Sequence, residues 1–226
     1  MKRALVFGGS GALGSAIVNE LRAVGWSVDV ASRSARGGAT IDLSSSTWAA
    51  DAAACGSYEG IVWAQGVNHA GGALEAEPAD LHSVYDTNVV FIVESLKAIT
   101  EAGGLAPIAR GVVLSSVWQV TARANKVAYV SSKAALSGLV PAIAADMASK
   151  SFAINGVLPG VIDTPMTRSQ LSEMQLQHVE SESLGGVLAS PQNVANAVAW
   201  LIDPRAAGIN AQWVAVDNGW SAVRSV

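Results

Sequence analysis

Ala4-Leu5-Val6-Phe7-Gly8-Gly9-Ser10-Gly11-Ala12-Leu13-Gly14 is the stretch that decides the fold. A short apolar run stops at a glycine pair, and a helix-length stretch over 14–24 follows at once. Strands covered on both faces read as continuous apolar segments rather than strict alternations. Glycines at such a junction allow a tight turn and close backbone approach. The helix that opens there offers unpaired N–H groups to a pyrophosphate. The placement predicts a dinucleotide site contacted by Gly8, Ser10, Gly11, Ala12, Leu13 and Gly14.

The same grammar continues along the chain. Apolar segments at 27–31, 60–63, 111–114, 153–157 and 212–216 alternate with helix-length stretches at 81–101, 129–149 and 191–202. This alternation predicts an α/β fold with a doubly wound parallel sheet of the Rossmann type. No repeat or linker divides the chain, so a single dinucleotide-binding catalytic domain is expected over 1–226.

Composition narrows the function. The 226 residues are 50% hydrophobic and 14% charged, which predicts a large core burying roughly 70% of the unfolded surface and suggests buried subunit contacts in a homo-oligomer. Mean hydropathy is +0.35, yet no continuous apolar run nears the roughly 18 residues of a membrane span. The apolar run at 4–7 is too short for a signal peptide. The expectation is a cytoplasmic protein with no membrane partner. Cys55 is the only cysteine, so no intrachain disulfide forms and no cysteine metal site is expected. His69, His82 and His178 are too scattered for a metal site. A net charge of −4 without a basic patch argues against nucleic acid as a partner.

The end of the second strand distinguishes the cofactors. An NAD site carries Asp or Glu about 20 residues beyond the glycines, bonded to the ribose 2′-hydroxyl. Here that region reads Ala31-Ser32-Arg33-Ser34. Arg33, helped by the Ser32 and Ser34 hydroxyls, suits a 2′-phosphate, so NADP(H) is expected. Asp29 is the nearby acid, but it falls inside the strand.

Tyr129 and Lys133 stand four residues apart, with Ser116 thirteen residues before the tyrosine. On a helix that spacing puts the pair on one face. A neighbouring ammonium favours the phenolate and is expected to lower the tyrosine pKa. The trio supplies a proton donor, a group to acidify it and a hydroxyl to hold a carbonyl.

With these residues assembled, the chain resembles the short-chain dehydrogenase/reductase family, in its short single-domain branch that includes 3-oxoacyl-carrier-protein reductases. The glycine turn matches the family's nucleotide loop, and Asp42-Leu43 its Asp-Leu pair after the third strand, where the aspartate meets the adenine. Trp63-Ala64-Gln65-Gly66 occupy the place of its Asn-Asn-Ala-Gly segment, so Ala64, Gln65 and Gly66 are implied cofactor contacts. Asn88, Ser116, Tyr129 and Lys133 match its catalytic set. The segment from Leu158 to Pro165 matches its Pro-Gly…Thr-Pro stretch, which implies that Pro159, Gly160, Ile162 and Thr164 meet the nicotinamide end. Val216-Asp217-Asn218-Gly219-Trp220 resemble its Val-Asp-Gly-Gly ending.

Several positions depart from the pattern. Ala12 replaces a glycine and requires a negative φ. Asn218 also replaces a glycine, and asparagine accepts left-handed geometry better than most residues. Trp63 replaces an asparagine; it is expected to remove polar ties from the central strand and to add bulk near the cofactor.

The resemblance implies Tyr129 as general acid for carbonyl reduction and base for alcohol oxidation. Lys133 tunes it and holds the nicotinamide ribose, and Ser116 bonds the substrate oxygen. The resemblance also implies that Asn88 shapes its helix for a water path to Lys133, and that the chain forms a homo-oligomer, tetramer or dimer. Ligands of such sheets bind at the carboxyl ends of the strands, so Trp118 and Met166 are expected at the substrate pocket. A lid is expected over 166–189, with Met and Leu on an apolar inner face and one basic residue, Arg168. The expected substrate is a small or medium apolar ketone, aldehyde or secondary alcohol. Alternatives are a 3-oxoacyl thioester reductase, a dihydropteridine-reductase-like enzyme, or an NADP-binding redox sensor without turnover. An extended-branch epimerase needs a C-terminal substrate domain, for which a chain ending at Val226 leaves no room.

Overall fold

The computed structural model describes residues 2–33, 40–164, 167–168 and 171–223. Its strands are β1 (Arg3–Phe7), β2 (Ser27–Ser32), β3 (Ile41–Asp42), β4 (Tyr58–Trp63), β5 (Leu105–Leu114), β6 (Phe152–Pro159) and β7 (Trp213–Val216). They form one parallel sheet in the order β3-β2-β1-β4-β5-β6-β7. The helices are α1 (Ala12–Ala23), α2 (Trp48–Ala54), α3 (Pro78–Tyr85), α4 (Phe91–Glu101), α5 (Val127–Asp146), α6 (Glu173–Glu182) and α7 (Pro191–Ile202). The expected doubly wound parallel sheet is what forms. Because β1 and β4 are neighbours, the connections leave them in opposite directions and open a crevice beyond their carboxyl ends.

Residue alternation sorts the core into two layers. In β1, Ala4 and Val6 pack with Ile17, Leu21, Val194 and Val198 of α1 and α7. Leu5 and Phe7 face the other way, onto Ile92 and Leu96 of α4 and Leu136 and Val140 of α5. Burying one such leucine side chain stabilises the fold by about 2 kcal/mol. Ser190 starts α7 by accepting the Asn193 N–H, with Pro191 in the first turn.

By length and composition α5 is long and apolar enough to cross a bilayer. Its Leu136, Val140, Ile143 and Ala144 pack into the sheet's core, together with the buried Ser132 and Lys133. The expected helix over 81–101 is broken by a π-helical turn at Asp86–Val90. That turn rephases the helix so that Asn88 points inward and is 1% exposed.

Trp63 does not crowd the cofactor side. It lies 1% exposed in the core beneath α4 and stacks on Phe7 at 6.1 Å, and Trp48 meets the same Phe7 ring edge-on at 5.8 Å. Its indole N–H donates to Ser95 Oγ at 2.8 Å, so the strand keeps a polar tie that the sequence reading denied it. The register of β4 sends this side chain away from the crevice. Asn218 takes the expected left-handed backbone, φ 51°, while Ala12 is not among the positive-φ residues and starts α1 without strain.

Toward the amino-terminal ends of the strands, buried charges are well partnered. Arg110 on β5 donates to the carbonyls of Leu201, Ala206 and Ile209 at 2.8–3.0 Å, closing the carboxyl end of α7 and the turn after it. Asp29 accepts from Arg3 at 2.7 Å and from the Tyr58 hydroxyl at 3.1 Å. Hydrogen bonding from Arg205, with help from Lys2, holds Asp203 well below the usual carboxylate range.

Candidate active site

The crevice beyond β1 and β4 is a cavity of about 650 Å³. Gly8, Ser10 and Gly11 line it from the glycine turn, Ser32 and Arg33 from the end of β2, Leu43 from beyond β3, and Ala64, Gln65 and Gly66 from the end of β4. The glycines are sterically required. A Cβ on Gly8 would lie 2.6 Å from the Gln65 N, at a φ of 74°, and one on Gly14 would lie 2.1 Å from the Gly8 O. The turn therefore folds onto itself and against the end of β4.

These residues suit a dinucleotide. The first turn of α1 carries no acidic residue and its N-cap, Gly11, makes no side-chain capping bond, so no local charge opposes the binding of an anion at its amide groups. Gln65 Oε1 is buried without a hydrogen-bond partner and leaves an acceptor for a ligand hydroxyl or amino group. Asp29, bonded to Arg3 and Tyr58, is turned from the crevice, so no strand-end carboxylate competes with Arg33.

Some expected contacts stand apart. Ala12, Leu13, Gly14 and Asp42 are not among the residues that line the crevice. The Asp42 Oδ1 accepts from the Ser44 N–H at 2.9 Å and the Ser44 hydroxyl at 2.7 Å, which orders the following loop instead. Ser34 and Met166 fall outside the described residues. Sequence reasoning missed Val67, Asp86, Thr87, Phe91 and Glu94, all of which line the crevice. Four of these five lie on the π turn and the first turn of α4, where the altered helical phase hides the face from a 3.6-residue count.

At the end of β5 the predicted trio assembles. Ser116, 6% exposed, hydrogen-bonds the Tyr129 phenol and accepts the Trp118 N–H at 3.3 Å. Lys133, 4% exposed, donates to the Leu114 carbonyl at 2.9 Å and stands 5.8 Å from the centre of the Tyr129 ring. A Cβ on Gly66 would fall 3.6 Å from Lys133 Nζ and 3.4 Å from Asn88 Oδ1. The lysine thus reaches the rim of the crevice. Asn88 accepts the Val67 N–H at 2.9 Å and donates to Val67 O and Ser132 Oγ at 3.0 Å, tying the loop after β4 to α5.

Burial pushes the Tyr129 phenol above its ordinary value, opposed by the hydrogen bond with Ser116. Burial brings the Lys133 ammonium down to about 8. The expectation that Lys133 would pull the tyrosine down is not met, because desolvation dominates and the ammonium stands over the ring.

Pro159 ends β6, and Gly160 donates its N–H to Val216 O at 3.0 Å. Ile162 packs its side chain into the core, and its backbone bridges to Ala189. Thr164, 8% exposed, shares a hydrogen bond with Thr167 at 3.0 Å. None of the four lines the 650 Å³ crevice; they border the end of β6, beyond β5.

A family model described as Enoyl-(Acyl carrier protein) reductase matches residues 15–221. The 7alpha-hydroxysteroid dehydrogenase of Escherichia coli (strain K12) is 33% identical over 167 residues, covering 68% of this chain and 62% of that protein. The 3-oxoacyl-[acyl-carrier-protein] reductase FabG of the same strain is 29% identical over 146 residues, covering 65% of this chain and 59% of the relative. The match thus spans less than two thirds of either curated relative. In three dimensions the chain is similar to Thermoplasma acidophilum aldohexose dehydrogenase, with TM-score 0.87 and 25% identity, covering 100% of this chain and 96% of that one. By its glycine turn, its parallel sheet and these matches, the chain belongs to the short-chain dehydrogenase/reductase family.

Proposed function

We propose that the protein interconverts a ketone or aldehyde and an alcohol, using a nicotinamide cofactor with NADP(H) preferred. The observation that carries this reading is the joining of Ser116, Tyr129, Lys133 and Asn88 at the rim of the crevice. Bound in the crevice, the cofactor supplies or accepts the hydride. Ser116 holds the substrate oxygen where negative charge develops. Tyr129, kept protonated at neutral pH by burial, gives that oxygen its proton. Lys133 orients the tyrosine ring and meets the cofactor ribose beside Gly66, while Asn88 holds the loop between them. Oxidation needs Tyr129 without its proton, so it gains as pH rises, whereas reduction proceeds at neutral pH.

Arg33 at the crevice and the diversion of Asp29 support NADP(H). The substrate is read as a small or medium apolar carbonyl compound. A 3-oxoacyl thioester is the second reading, favoured by the similarity to FabG. Against it, Arg168, the basic residue of 166–189, is already bonded to Asp163 at 2.6 and 2.9 Å. The region 166–189, with α6 at its centre, serves as the substrate lid. Val90 and Val93, 40% and 44% exposed on the outer side of the α4 region, support self-association through α4 and α5, which light scattering would measure.

The test is a panel of ketones and alcohols run in both directions with each nicotinamide cofactor. Turnover of carbonyls with NADPH exceeding that with NADH is expected. Tight NADPH binding without turnover of any carbonyl would instead mark a redox sensor.

A further inference from the structure

The tail after β7 returns to the reacting groups. Trp220 meets Trp118 at 5.4 Å between ring centres with their planes at 75°, and the Trp118 N–H donates to Ser116 Oγ. Two partly exposed indoles thus form a corner next to the hydroxyl expected to hold the substrate oxygen. The corner is braced from the lid side. The Trp220 indole N–H donates to Glu182 Oε2 at 3.0 Å on the last turn of α6. Leu184 donates its N–H to Asn218 O at 2.8 Å, and Asn218 Nδ2 donates to Val187 O at 2.9 Å. Leu184, whose side chain abuts Gly219, and Val187 are each 56% exposed, and Val120, two residues after Trp118, is 64% exposed, more apolar surface than an isolated residue accounts for.

We infer that Trp118 and Trp220 form the specificity subsite for a flat apolar ring carried next to the substrate carbonyl. This rests on the carbonyl reading of Ser116 and Tyr129. Aromatic groups prefer offset-stacked and edge-to-face contacts. Two indoles near a right angle offer both at once: a ring stacked on one presents its edge to the other. A flexible alkyl chain of equal carbon number gains the area but not the geometry. Glu182 is a positioning residue that fixes the Trp220 plane through its indole N–H.

The experiment compares acetophenone with methyl hexyl ketone, which match in carbon number, on wild type, Trp118→Leu, Trp220→Leu and Trp220→Phe. Both the kcat/KM ratio and the binding of each ketone to the NADPH-loaded protein, by saturation-transfer NMR, are measured. Wild type should favour the aryl ketone. Either leucine variant should lower that preference roughly 3- to 10-fold, and Trp220→Phe should restore most of it. Equal ratios across wild type and both leucine variants would overturn the subsite. Ring-selective binding lost in the leucine variants, but without turnover in any protein, would uphold the subsite and sink the carbonyl reading. Absence of both ring-selective binding and turnover would overturn the two together.

Discussion

Arg110, Asp29 and Asp203, toward the amino-terminal ends of the strands, each meet hydrogen-bonding partners, whereas at the carboxyl ends Gln65 Oε1, Ser115 Oγ and Gln119 Oε1 are buried without any. Both regions bury polar groups in one continuous sheet, so burial alone does not explain the contrast. Satisfied buried groups add stability, and unsatisfied ones cost it. One end of the sheet ties its buried polar groups into the fold; the other leaves three without a partner, that of Gln65 on a residue that lines the crevice.

Substitutions at the two ends should therefore separate activity from stability. The largest effect is expected from Tyr129→Phe, which removes the proton donor and one partner of Ser116. Turnover should fall by roughly 10²–10⁴-fold, while the melting temperature and NADPH affinity hold. Retained turnover would break the comparison at its functional end. Next comes Arg110→Met, which leaves three inward carbonyls without their donor. A loss of about 3 kcal/mol is expected in urea unfolding, with unchanged kcat in the folded fraction.

Lys133→Met sharpens the contrast through pH. The folded-state pKa of Lys133, about 8, lies below its ordinary 10.5. Below pH 8 the wild type therefore carries the cost of a buried ammonium, at most about 3 kcal/mol. As pH rises from 8 toward 10.5 the folded protein sheds that proton first, and its stability increases. The stability advantage of Lys133→Met at pH 7 should accordingly shrink by pH 10, read by unfolding at both values. A constant gap would show that the ammonium is not buried at a cost. The smallest effect belongs to Gln65→Ala. Removing an orphaned acceptor should leave stability unchanged or raise it by up to about 1 kcal/mol, yet weaken NADPH binding in calorimetry.

The sequence exposed the parts of the site whose chemistry is local. The glycine turn, Ser116 and the Tyr129–Lys133 pair are defined by neighbours in the chain, and each stands where its spacing predicted. Arg33 at the crevice was legible from the strand end. Glu94 and Phe91 were hidden because the π turn at Asp86–Val90 shifts which helix face looks into the crevice. The side taken by Trp63 depends on the register of β4, which no local pattern fixes. The surroundings of Trp213 and Trp220 were likewise hidden in the sequence. Trp213 covers Gly156, where a Cβ would lie 1.9 Å from its ring, and Trp220 bonds Glu182 at the end of α6. Both depend on how distant segments return, which is a tertiary property.

The central place of β1 in the sheet also bears on how the molecule comes into being. Its partner β2 follows soon after, but the pairing with β4 joins Ala4 to Gly60 and Phe7 to Trp63. The glycine turn can reach its tight packing on Gln65 only after that distant pairing has formed. Parallel pairings of high sequence separation incur loop-closure entropy before any contact offsets it, and so form slowly. Cofactor-binding competence should thus emerge late in refolding, with the closing of β1 on β4, and a nucleotide present during refolding would trap that step.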